Sequence, residues 1–202
     1  PSNGSWFVET NWTPNGIPDD GLDHVFLNSG TILLTNATPP VASFTQSGGS
    51  LVFSNWFACL IASNVMITGG VVTLPPAYTN NSMSNRVWFI CDTFTLESPG
   101  QINVNARGYC GGINTGPAAG QGPGGGSSGA NAGAGGGHGG LGGAGYNGGS
   151  GAVNGTLTDP NPGSGGGCST SYSSQGGNGG WAVFLAVNGL ATINGIITAN
   201  GE

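Results

Sequence analysis

Glycine at every third position, from Gly133 to Gly151, constrains this chain more than any other feature. The register runs Gly133, Gly136, Gly139, Gly142, Gly145, Gly148 and Gly151, within a stretch (108–180) that holds 31 of the 43 glycines. Such a composition by itself predicts a disordered linker, because too little side chain is buried to offset the entropy of ordering it. A period of three is instead that of the polyproline II helix, where glycine in one register lets backbones pack closely. Cys110 and Cys168 stand near the two ends of the stretch. An ordered, polyproline II-like insertion is therefore expected.

Strand patterns flank it. Val25–Leu27, Thr31–Leu34, Ser43–Phe44, Leu51–Phe53, Val65–Ile67, Val71–Leu74, Val87–Ile90, Thr93–Leu96 and Gln101–Val104 are short, β-branched or aromatic, and bounded by Gly, Asn, Ser or Pro. No stretch keeps a 3.6-residue period, so helix should be nearly absent. Gly30, Gly49, Gly70 and Gly100 each open a strand, at spacings of 19, 21 and 30 residues. Repeats near 20 residues are the mark of a β-solenoid, whose coils bury their apolar faces by stacking; a β-sandwich is the competitor. After the glycine-rich block three more strands follow from Trp181, separated by Asn188-Gly189 and Asn194-Gly195. The predicted organisation is all-β: a solenoid-like strand region over 1–107 with a turn-rich opening segment, the insertion over 108–180, and returning strands of the same domain over 181–202.

Charged residues make up 5% of the chain, lysine is absent, and Arg86 and Arg107 face eight acids for a net charge of −6. That excludes nucleic-acid partners, which need clustered cations, and binding to anionic membranes. Apolar runs reach seven residues, too short for insertion into a membrane. The chain, opening at Pro1, reads as a mature form or a piece of something longer. Cys59, Cys91, Cys110 and Cys168 have no metal-site spacing. Their even number predicts two disulfides and an oxidising compartment. Of three pairings, Cys59–Cys91 with Cys110–Cys168 is expected. Sequons stand at Asn3, Asn11, Asn36, Asn80 and Asn154, and glycans there would help keep so uncharged a chain soluble.

Trp6, Asn11-Trp12, Gly16-Ile17-Pro18, Asp23 and Val25-Phe26-Leu27 resemble the opening of large secreted bacterial right-handed β-helix surface proteins. The run from Gly135 through Gly179-Gly180-Trp181 to Ile193-Asn194-Gly195 and Ala199-Asn200-Gly201 is similar to a glycine-rich module in that class. The resemblance implies an extracellular, surface or matrix protein without a defined catalytic site. The four cysteines and the single module depart from the usual pattern.

Candidate chemistry is sparse. Asp19, Asp20 and Asp23 offer carboxylates for calcium, but they follow Pro18, flank Gly21 and lack the loop spacing, so turn formation accounts for them equally well. No metal or cofactor is expected. Asp92 and Glu97 flank one strand, too far apart to act as a catalytic pair. Arg86 and Arg107 are isolated cations, and His24 and His138 belong to no nucleophile motif. Among the tryptophans, Trp88 and Trp181 are read as core and Trp6 and Trp12 as a cap on the first coil; together with Trp56 they are also candidates for stacking on saccharides. The function expected is that of an extracellular structural protein, the self-associating subunit of a surface filament, sheath or adhesive fibre. The motive is that the last strand carries no cap and no lysine to protect its edge. An adhesin module binding carbohydrate or a cell surface is the second reading, and a polysaccharide-active β-helix enzyme the third.

Overall fold

The computed structural model describes residues 4–80, 85–138, 140–146, 149–155, 161–172 and 174–202. The chain divides into two compact units: Pro1–Pro75 with Ser84–Asn103 and Val183–Thr198, and Pro76–Met83 with Val104–Ala182 and Ala199–Glu202.

The ten strands among the described residues all belong to the first unit: β1 (Gly4–Ser5), β2 (His24–Leu27), β3 (Thr31–Leu34), β4 (Val41–Phe53), β5 (Leu60–Thr73), β6 (Val87–Leu96), β7 (Gln101–Asn103), β8 (Val183–Val187), β9 (Ala191–Ile193) and β10 (Ile196–Thr198). One 3-10 turn, Glu9–Asn11, is the helical content among the described residues. Every strand pair is parallel, a pattern hairpins cannot make. The chain therefore climbs in levels. β2 and β3 both pair with β4, β4 with β5, β5 with β6 and β7, and these with β8, β9 and β10.

Register turns this order into columns of side chains. Leu27, Gln46, Ile67, Leu96 and Ile193 are successive partners, as are Ile32, Leu51, Val72, Ile102 and Ile197. In both columns the first four members are 0% exposed. Alternate residues point outward, which is why Val87 and Phe89 are buried and Trp88 between them is not. Gly30, Gly49 and Gly70 carry φ of 80°, 67° and 74° and stack at the same place in successive levels. A Cβ on Gly49 would lie 2.5 Å from the Gly30 carbonyl oxygen, so glycine is required twice over there. Gly49 and Gly70 shift the register without ending β4 and β5, whereas at Gly30 the chain breaks into β2 and β3. The short runs expected around 43–53 and 65–74 are consequently fused into β4 and β5.

One end of the columns is closed. Trp6 is 0% exposed, stands 4.9 Å from Trp12 edge-on and 6.1 Å from Phe44, and its carbonyl accepts the Trp12 Nε1–H at 2.8 Å.

The second unit has no strand ladder among its described residues. Successive backbone bonds leave each extended segment for different neighbours. Tyr109 donates to Gly163, Gly163 to Gly180 and Gly179 back to Tyr109; three residues on, Gly112 donates to Gly166, Gly166 to Gly177 and Gly176 to Gly112. The segment from Gly163 to Cys168 also bonds to Gln121, Gly126, Ala134, Ala118 and Gly129. It is thus a central rod among five others. The glycine register faces these neighbours. A Cβ on Gly136 would lie 2.7 Å from the Gly165 oxygen, and one on Gly145 2.6 Å from the Ala134 nitrogen. Gly133, Gly142 and Gly151 likewise abut main chain, while Gly139 and Gly148 lie outside the described residues.

The disulfide expectation is corrected: all four cysteines are free thiols. Register gives the reason. Cys91 is opposite Ala62, three residues beyond Cys59, an offset of about 10 Å along the strand. With Tyr109 bonded to Gly163 and Gly112 to Gly166, Cys110 falls beside Ser164 and Gly165, about three residues short of Cys168. Both separations exceed the roughly 7 Å that a disulfide spans between Cα atoms.

Candidate functional site

The residues singled out by sequence do not converge. The Asp23 carboxylate accepts the backbone N–H groups of Asp19 and Asp20 at 3.0 Å each, and Asp20 accepts that of Leu22 at 3.1 Å, so these acids brace their own turn. Among the described residues no group of three His, Cys, Asp or Glu side chains is placed to hold a metal ion. Glu97 accepts the Asn194 amide at 3.1 Å with both oxygens, and Asp92 is exposed. Parallel register brings His24 opposite Ser43, with Nδ1 and Oγ 2.7 Å apart on the exposed face, a pair that spacing along the chain did not reveal. His138 is exposed and Arg107 half-buried. Of the sequons, Asn36 and Asn80 are exposed, Asn11 and Asn154 half-buried, and Asn3 lies outside the described residues.

Two features of the first unit stand out. The first is the last level. β8, β9 and β10 each pair on one side, and the inward columns emerge into solvent there: Ile193 is 48% and Ile197 37% exposed, beside Leu190 at 69%. No charged residue lies in these three strands.

The second is a cluster on the outer face. Arg86 precedes β6, Trp88 points outward from it, Phe184 is the register partner of Trp88 on β8, and Trp56 sits in the turn between β4 and β5. The Arg86 guanidinium carbon lies 4.0 Å from the Trp88 ring centre, 4.9 Å from Trp56 and 5.6 Å from Phe184. All four residues are half-buried. The Arg86 Nε is buried without a hydrogen-bond partner. Beneath the cluster, burial pushes the Cys59 thiol up to about 12, against the pull of Arg86, so it stays neutral. Trp88 is thereby removed from the core, where the sequence reading put it; Trp181, 2% exposed, is buried in the second unit.

No family model, curated protein or solved structure matches this chain. The functional reading therefore stands on these two features. That β8, β9 and β10 lack lysine was legible in the sequence. The Arg86 cluster was not, because Trp56, Arg86 and Phe184 are far apart in sequence and meet only through the stacking of levels.

Proposed function

We propose that this chain is an extracellular structural protein, the repeating subunit of a surface filament, sheath or adhesive fibre. In this reading the first unit is a short β-solenoid and the second a bundle of polyproline II-like rods. The observation that carries it is the contrast between the ends of the side-chain columns: Trp6 closes one, while Ile193 and Ile197 are left uncovered at the other. Edge strands of monomeric proteins are guarded by lysine, proline or inward charge. β8, β9 and β10 have none. A second copy laid on this level would pair the free backbone groups and bury the exposed apolar members of the columns. The secreted setting rests on composition and on the resemblance, since cysteine pairing no longer supports it.

Light scattering and negative-stain microscopy at high concentration test the proposal. Oligomers or fibres are expected, and Ile193→Lys should abolish them while leaving the far-ultraviolet spectrum intact. Monodisperse monomer without fibres would sink it.

A further inference from the structure

The geometry around Arg86 points to a second role, independent of assembly: we infer that Arg86, Trp56, Trp88 and Phe184 form a binding site for an acidic saccharide chain of the polyuronate type. The starting point is an unspent charge. The protein has eight acids against two cations, so a purely structural arginine would readily find a carboxylate. No ion pair with Arg86 occurs among the described residues, and its buried Nε has no partner. Asp92, the nearest acid along β6, is six residues on, about 20 Å away and beyond the roughly 8 Å screening length of physiological salt.

The chemistry of the cluster selects the ligand. Rings against the flat faces of a guanidinium leave its edge as the polar surface, and with Nε buried it is the two terminal Nη groups that can meet a carboxylate through two parallel hydrogen bonds. Trp56, Trp88 and Phe184 each keep part of their surface open with Arg86 in place, providing apolar faces with a polar handle beside them. A ligand using both must carry a carboxylate next to a flat, C–H-lined ring. A uronic acid residue has that form. Trp88 and Phe184 lie on adjacent strands in register, so the rings line the direction in which levels stack. An open row of this kind suits a chain of sugars better than a single one.

The test is titration of the protein with oligogalacturonate, followed by tryptophan fluorescence, at concentrations below those that scatter light. A saturable change is expected. Binding should weaken about tenfold or more for the fully methyl-esterified oligosaccharide and for Arg86→Gln, the loss of one charge-assisted pair. Arg86→Lys should recover part of it, and Trp56→Ala should weaken it without a change in fold. Should Arg86→Gln misfold, the comparison of free acid with ester on the unaltered protein decides alone. No saturable response to the free acid up to about 10 mM, equal affinity for the ester, or equal affinity for inorganic sulfate would each overturn the inference. Because monomer suffices for the measurement, failure here leaves the filament reading untouched, and the reverse also holds.

Discussion

The two units are stabilised internally by opposite means. In the first, columns such as Ile32, Leu51, Val72 and Ile102 exclude water completely, and stability comes from apolar side chains taken out of solvent. In the second there is little side chain to bury. There the main chain is the packing surface, and hydrogen bonds from a central rod to five neighbours replace a ladder between two strands. Each such bond contributes about 1 kcal/mol net, yet a buried donor left unpaired costs more. Glycine loses the most entropy on ordering; what it gains here is the close approach that lets every rod reach its neighbours. The comparison teaches that low side-chain content need not mean disorder when glycines let main chains pack directly on one another.

The sharpest way to break that comparison is to remove side chain from one unit and add it to the other. Phe94→Ala, in the wholly buried Val25–Phe44–Val65–Phe94 column, should cost about 3–5 kcal/mol. Urea unfolding, with hydrogen exchange to localise the loss to β5 and β6, measures it. Gly136→Ala adds one methyl group against the Gly165 carbonyl, which is backbone and has no side-chain freedom with which to yield. A loss of about 1–3 kcal/mol is expected, seen as faster exchange across 163–168. Gly143→Ala is its control: nothing stands within 4 Å of the added Cβ, and the change should stay within about 0.5 kcal/mol. Equal effects of the two alanines would mean that the rods are not packed through their glycine register.

A smaller effect appears with pH, and it acts in both units, since burial also pushes up the Tyr78 and Tyr109 hydroxyls and the Cys110 thiol of the second. Burial pushes the Cys59 thiol up to about 12 and the Cys91 thiol up to about 11, from an ordinary value of 9.0. Between pH 9.0 and about 12 the folded chain keeps protons that the unfolded chain has released. Stability is therefore intact below that window and falls as pH rises through it. Urea midpoints followed across the window, with loss of protection in β5 and β6, check this. A midpoint that rose with pH would contradict it.

Much of this was legible in the chain. Gly30, Gly49 and Gly70 marked the levels because a left-handed turn stacked on another leaves no room for a Cβ, and that requirement writes itself as a repeat. Gly133, Gly136, Gly142, Gly145 and Gly151 of the three-residue register abut main chain for the same steric reason, but so do glycines off it such as Gly126 and Gly137. The capping role of Trp6 and Trp12 was also readable, since large aromatics before the first strand have one apolar surface to cover. What the sequence could not supply was which distant residues share a level. Offsets of about three residues keep Cys59 from Cys91 and Cys110 from Cys168. Register alone makes partners of His24 and Ser43, and of Trp88 and Phe184. Spacing along a chain fixes period and turn; only tertiary pairing decides which strand lies beside which, because an insertion as long as the glycine-rich block shifts sequence distance without altering strand order in the sheet.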